Sequence, residues 1–180
     1  MGINELDRSH VLTQLAEIGN ASLSGNHRGR TLEDLLVHIF QSVPGVALVE
    51  SRCLNDFGTE ELDLIFWNDQ LDSGLRFIDT PIFVECKAWS GTVSGREIDH
   101  FVSMLRRKGA RYGFFVALNG ISGQEQSGSC AHFHIVAAHL DGVRLIILTG
   151  ADLVTLIDGQ SLIRLIKEKV INAVVRQVIS

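Results

Sequence analysis

Cysteine is scarce and scattered in this sequence: Cys53, Cys86 and Cys130 are an odd number without CxxC spacing. That pattern suggests neither a disulfide framework nor a zinc site, and reduced thiols are the simple reading. Long apolar runs are missing too. The longest, such as "RLIILTG" and "YGFFVAL", fall far short of the roughly 18 residues a membrane span needs. The opening "MGINELDRSH" has no basic stretch followed by an apolar one, so no membrane association is expected and a cytoplasmic location is. A basic excess is the third absence. With 16 Lys and Arg against 21 Asp and Glu, the formal charge of −5 argues against holding nucleic acid by bulk electrostatics alone. "GISGQEQSG" is glycine-rich but lacks a phosphate-binding lysine, which argues against a nucleotide cradle.

What is present is a hydrophobic share of 46% in 180 residues, enough for one domain with a filled core. "NELDRSHVLTQLAEI" has mostly helical spacing, and the Gly/Ser/Asn-rich "GNASLSGNHRGR" breaks it. "TLEDLLVHIFQ" reads as a second helix with Thr31 as N-cap and Leu32, Leu35, Leu36, Ile39 and Phe40 on one side. Three β-rich runs follow as a meander: "VALVESRCL", "ELDLIFW" after the turn "NDFGTE", and "IFVECKAW". Then come an amphipathic helix "SGREIDHFVSMLRRKG", a buried strand "YGFFVAL", a helix in "EQSGSCAHFHIVAAHL", a strand "VRLIILTG" and a closing helix. Helices alternating with buried strands after an antiparallel start predict a three-layer α/β domain, with a central mixed β-sheet flanked by helices.

The strand at 82–88 poses the functional question, because it carries Glu85 and Lys87 inside an apolar segment. Alternation places Ile82, Val84, Cys86 and Ala88 on one face and Phe83, Glu85 and Lys87 on the other. The same rule applied to 61–66 puts Leu62, Leu64 and Phe66 together and leaves Asp63 opposite them. If the apolar faces pair, Asp63 and Glu85 share a face, with Lys87 about 7 Å beyond Glu85. Two close carboxylates repel each other, a cost that disappears when a divalent cation sits between them. Mg²⁺ suits such a site, with Mn²⁺ as a substitute, because it keeps positions for water and phosphate oxygens. The lysine would orient or help deprotonate the attacking water. The plain alternative is a structural Glu–Lys pair on an exposed sheet face.

"ELDLIFW" followed after a hairpin by "IFVECKAW" resembles the PD-(D/E)XK nuclease superfamily, and the following helix–strand order resembles its Mrr-type restriction endonuclease branch. The similarity runs from about residue 28 to 150. It implies a restriction-endonuclease-like fold and a metal-dependent endonuclease acting on DNA in restriction or defence. Residue by residue, Asp63 matches the first acid, Glu85 the second and Lys87 the lysine, while Glu33 falls where a helical glutamate often joins them. No proline precedes Asp63, where "EELD" stands. On this reading residues 28–150 form the catalytic core, 1–27 an N-terminal helix and loop, and 151–180 a C-terminal helical segment.

Several residues stay open between two readings. Glu33 near a helix start is also favoured by the helix dipole. Cys86 reads as a small core residue whose carbonyl would serve as a metal ligand beside Asp63 and Glu85. Arg106, Arg107, Lys108 and Arg111 read as a solvated helix end or as nucleic-acid contacts, and Arg96 lies one turn into the same helix. The competing function is a nuclease-like binding or scaffold subunit without turnover. The acidic balance also suits an enzyme that works as a homodimer or takes its specificity from a partner subunit.

Overall fold

The computed structural model describes residues 5–54, 61–122 and 131–176. The turn at 55–60, residues 125–130 of the expected fourth helix including Cys130, and the end of the closing helix lie outside the described residues.

Two helices come first. Helix α1 (Arg8–Ile18) starts at Asp7, whose Oδ1 accepts the Ser9 and His10 N–H groups. Helix α2 (Gly25–Gln41) starts at Ser24, whose hydroxyl accepts the His27 N–H, rather than at Thr31. Ser24 supplies the acceptor that a helix start needs, and the two glycines of "GNHRGR" oppose extension by only about 1 kcal/mol each. Thr31 is buried inside the helix, its hydroxyl donating to the His27 carbonyl. Glu33 therefore lies in the third turn of α2. The dipole acts within the first turn, so it gives no reason for a carboxylate there.

Strands β1 (Val46–Leu54), β2 (Glu61–Asn68) and β3 (Ile82–Lys87) form the antiparallel meander. Helix α3 (Gly95–Arg107) crosses to β4 (Tyr112–Ala117), and α4 (Ala131–Leu140) crosses to β5 (Arg144–Leu148). Each crossover leaves its strand parallel to the one before it, giving a five-stranded mixed sheet in the order β1-β2-β3-β4-β5. The chain closes with α5 (Gly150–Val154), α6 (Gly159–Ile171) and a π-helical turn, Asn172–Arg176. Capping boxes Thr149/Asp152 and Asp158/Ser161 open α5 and α6 separately, which inserts a short helix that periodicity does not reveal.

The sheet separates two cores. On one side Leu64, Phe66, Ile82, Val84 and Cys86 pack with the apolar stripe of α2 and with Leu162, Ile163 and Ile166 of α6. Phe40 of α2 stacks on Phe66 at 5.1 Å and meets Phe114 edge-on at 5.3 Å, so α2 is locked over β2 and β4. On the other side Phe83 and Phe115 pack with Ile98, Phe101, Val102 and Leu105 of α3 and Ile135 of α4. Each fully buried side chain of this kind contributes about 1.5–3 kcal/mol. The three-layer α/β domain with a central mixed β-sheet is thus as the sequence predicts.

The expected alternation fails at two neighbouring residues, Leu62 and Asp63, the second of which lies on the α2 side with Leu64 rather than on the face of Glu85. Leu62 joins Phe83 and the α3 layer rather than Leu64 and Phe66. Paired residues of β2 and β3 run only from Phe66–Ile82 to Leu64–Val84. Beyond them a side chain takes over the hydrogen bonding: Asp63 Oδ2 accepts the Cys86 N–H at 2.7 Å. The two strands part there, and Leu62 turns to the other layer.

Candidate active site

The parting of β2 and β3 opens the sheet at the carboxyl end of β3, the place where open α/β sheets offer a crevice. Asp63 faces a cleft of about 660 Å³ beneath α2, while Glu85 faces a second of about 770 Å³ along α3. Lys87 lines both. The two acids therefore meet through the lysine rather than across one flat face. Lys87 Nζ donates to Glu85 Oε1 at 2.5 Å and lies 4.0 Å from Asp63 Oδ2. The three side chains are 16% (Asp63), 15% (Glu85) and 24% (Lys87) exposed, too buried for a solvated pair on a sheet surface.

Burial has an electrostatic consequence. It pushes the Glu85 carboxyl up, the Asp63 charge pushes it further, and Lys87 only partly opposes them, so its pKa stands at about 7. Burial also works against the Lys87 ammonium, but Glu85 and Asp63 outweigh it and raise its pKa. Two acids thus share one cation, and the deficit is met by a proton or by a further cation.

Glu33 reaches the α2-side cleft from the helix. Its Oε2 accepts from Arg52 Nε at 2.5 Å. Burial raises its pKa, with Arg52 acting in opposition. Three arginines line this cleft that the sequence did not single out: Arg28, Arg30 and Arg52. Arg28 Nε donates to the Ile18 carbonyl and Nη2 to the Ala88 carbonyl, each at 2.7 Å. Asn119 Nδ2 donates to the Trp89 carbonyl at 2.6 Å. The chain just past Lys87 is thereby pinned from two directions. A signal for Arg30 was available: it stands one turn before Glu33 on the same face of α2.

The five basic residues predicted as nucleic-acid contacts do not form one surface. Arg96 and Arg107 line the α3-side cleft with Glu85 and Lys87, joined by His100 and Ser103 at helical spacing. Arg106 binds Asp141. Lys108 and Arg111 line a different cleft at the start of β4, and Arg111 is held bidentately by Asp79 at 2.7 Å. Lys87 pairs with Ala117, six residues beyond Arg111, so that cleft lies about 20 Å away along the sheet. Helical rotation splits a basic cluster that is contiguous in sequence.

The donor set fits a hard divalent ion. Asp63 and Glu85 offer carboxylate oxygens, and the Lys87 ammonium sits where positive charge is needed. The Cys86 thiol is buried and its pKa driven well up by burial and by the surrounding carboxylates. It is thus a poor ligand, and only its carbonyl oxygen belongs to an oxygen site. Among the described residues no group of three His, Cys, Asp or Glu side chains is placed to cage an ion. Mg²⁺ and Mn²⁺ need no such cage when water and phosphate complete the shell.

No curated protein and no solved structure matches the chain. A family model does: the restriction endonuclease model of the Mrr catalytic type matches residues 26–166, from the first turn of α2 into the last turns of α6. With Asp63, Glu85, Lys87, the whole sheet and its crossover helices inside that match, the chain belongs to the Mrr-type restriction endonucleases of the PD-(D/E)XK nuclease family.

Proposed function

We propose that the protein is a Mg²⁺-dependent endonuclease, also served by Mn²⁺, that hydrolyses DNA phosphodiester bonds in restriction or another defence against foreign DNA. The observation that carries this reading is the buried two-acid, one-lysine cluster at the parting of β2 and β3, open to clefts on both sides. Asp63, Glu85 and the Cys86 carbonyl would hold the ion. A bound Mg²⁺ supplies Lewis-acid polarisation of the phosphate and a lowered pKa for the attacking water. Lys87, a cation at neutral pH, orients that water and offsets charge on the pentacoordinate phosphorus. Asp63 spends Oδ2 on the Cys86 N–H and keeps Oδ1 for other partners, while the pinned Ala88 and Trp89 carbonyls hold Lys87 in place. Arg96 and Arg107 would carry the strand along α3. Cutting both strands of a duplex takes two such centres, supplied by a homodimer or by a partner subunit that adds specificity.

The test is supercoiled plasmid incubated with the protein in Mg²⁺, Mn²⁺, Ca²⁺ and EDTA. Nicked and linear products are expected with Mg²⁺ and Mn²⁺ alone, and no cleavage under any condition would sink the reading. The second reading is a nuclease-like scaffold. The net charge of −5 and a Lys87 already bonded to Glu85 favour it. DNA affinity that is equal in EDTA, Ca²⁺ and Mg²⁺, without cleavage, would select it.

A further inference from the structure

Arg52 has an unusual backbone. It stands at φ 54° inside β1, a left-handed conformation that costs a non-glycine residue on the order of 1–2 kcal/mol. Pairing with β2 continues on either side, with Ser51 opposite Leu64 and Cys53 opposite Leu62. Such a residue persists where surrounding interactions determine it. Here the interaction is the bond from Arg52 Nε to Glu33 Oε2, across the cleft from strand to helix. The two partners are not equally enclosed: the Glu33 side chain is 13% exposed and that of Arg52 is 41% exposed. Much of the guanidinium thus stays open to the cleft that also holds Asp63 and Lys87. Arg30, exposed and three residues before Glu33, lines the same cleft and has no ion-pair partner among the described residues.

A guanidinium fork binds carboxylate and phosphate with the same geometry, so the two compete for it. Resting on the nuclease reading above, we infer that Arg30 and Arg52 form a site for a backbone phosphate next to the scissile one, and that Arg52 exchanges Glu33 for that phosphate when DNA enters. The exchange frees the Glu33 carboxylate towards Asp63 and Lys87 only once the strand is in place. Before that, Arg52 neutralises an acid that would repel the incoming phosphate.

A double-mutant cycle tests the exchange, using anisotropy of a fluorescein-labelled DNA duplex in Ca²⁺ across a salt series, with thermal melts as a check on folding. Arg52→Ala is expected to weaken binding about tenfold and to lower the salt slope by about 1. Arg52→Gly, which relieves the backbone, replaces it if the alanine variant does not fold. Glu33→Gln releases Arg52 and is expected to tighten binding, and that gain must vanish when Arg52 is also absent. A gain that persists without Arg52 marks simple removal of a repelling carboxylate and overturns the inference. Weaker binding from Glu33→Gln, or unchanged affinity in Arg52→Ala, overturns it as well. Plasmid cleavage by the unmodified protein is followed in parallel. Cleavage with a failed cycle discards the phosphate site and keeps the nuclease, whereas neither binding nor cleavage discards both.

Discussion

The two ends of strand β3 carry clefts of similar size, about 590 Å³ at the start and 660 Å³ at the finish, and both contain acids and bases. At the start, Arg111 and Asp79 form a bidentate pair with one charge of each sign, 68% and 32% exposed. At the finish, Asp63 and Glu85 share a single lysine with little solvent to screen them. The Arg111–Asp79 pair is balanced, with Lys108 beside it in the cleft, and is worth little, as exposed pairs are. The cluster at the finish is incomplete and keeps a carboxyl near neutrality in its titration. Cavity size therefore does not distinguish the two ends, whereas charge imbalance under burial does.

The largest expected effect is at Lys87. Lys87→Ala and Asp63→Asn are expected to lower plasmid cleavage by about a thousandfold or more, as loss of transition-state charge stabilisation does, whereas Arg111→Ala should cleave within about twofold of the unmodified protein. Equal losses at the two ends would dissolve the distinction. Asparagine is the variant of choice at position 63 because it keeps an acceptor for the Cys86 N–H. Asp63→Ala would orphan that group at a cost of about 1–3 kcal/mol, so its loss of activity would be mixed with loss of stability.

Stability against pH provides the next contrast. The Glu85 pKa of about 7 lies above its ordinary 4.5, so folding takes up a proton at that site. Its contribution is therefore most favourable at pH below 4.5 and is lost as pH rises through about 7. Glu85→Gln should stabilise the metal-free protein at pH 8 by on the order of 2 kcal/mol, a rise in Tm of roughly 4–8 °C. At pH 5 it should change little. Mg²⁺ should stabilise the unmodified protein at pH 8 and lose that effect in the variant. Melting curves at the two pH values, with and without Mg²⁺, measure this directly, and a Tm that falls at pH 8 would mean that Glu85 is already satisfied by Lys87.

Arg28 holds the chain just past Lys87 in place. Arg28→Lys cannot reach both the Ile18 and Ala88 carbonyls with one nitrogen. A cost of about 1–2 kcal/mol is expected, together with a lower kcat as Lys87 loses its fixed position. Urea titration and cleavage rates read the two effects, and an unchanged kcat would confine Arg28 to stability. The smallest effect belongs to the balanced pair: Asp79→Asn should cost under about 1 kcal/mol and fade further in high salt.

Much of this was legible in the chain itself. The period of two in "IFVECK" and the apolar stripe of "LEDLLVHIF" specify which residues are buried, because burial of apolar surface is a local demand that the sequence repeats. The element order follows from the same patterns. Asp63, Glu85 and Lys87 could be named because charges inside apolar strands need a reason. The cap of α2 lies seven residues before Thr31 because Ser24 outcompetes it, and only a start at Thr31 would make Glu33 a dipole residue.

The sequence alone determined the three-layer fold and the presence of two acids and a lysine near the end of β3, since periodicity and composition act through near neighbours. Only the tertiary structure decided that β2 leaves β3 at Asp63, that the acids open to opposite clefts, and that Arg28, Arg30 and Arg52 enter one of them. It also decided that Arg111 faces away. These outcomes depend on strand divergence, helix rotation and contacts such as Arg28 to Ala88, 60 residues apart, which no local pattern encodes.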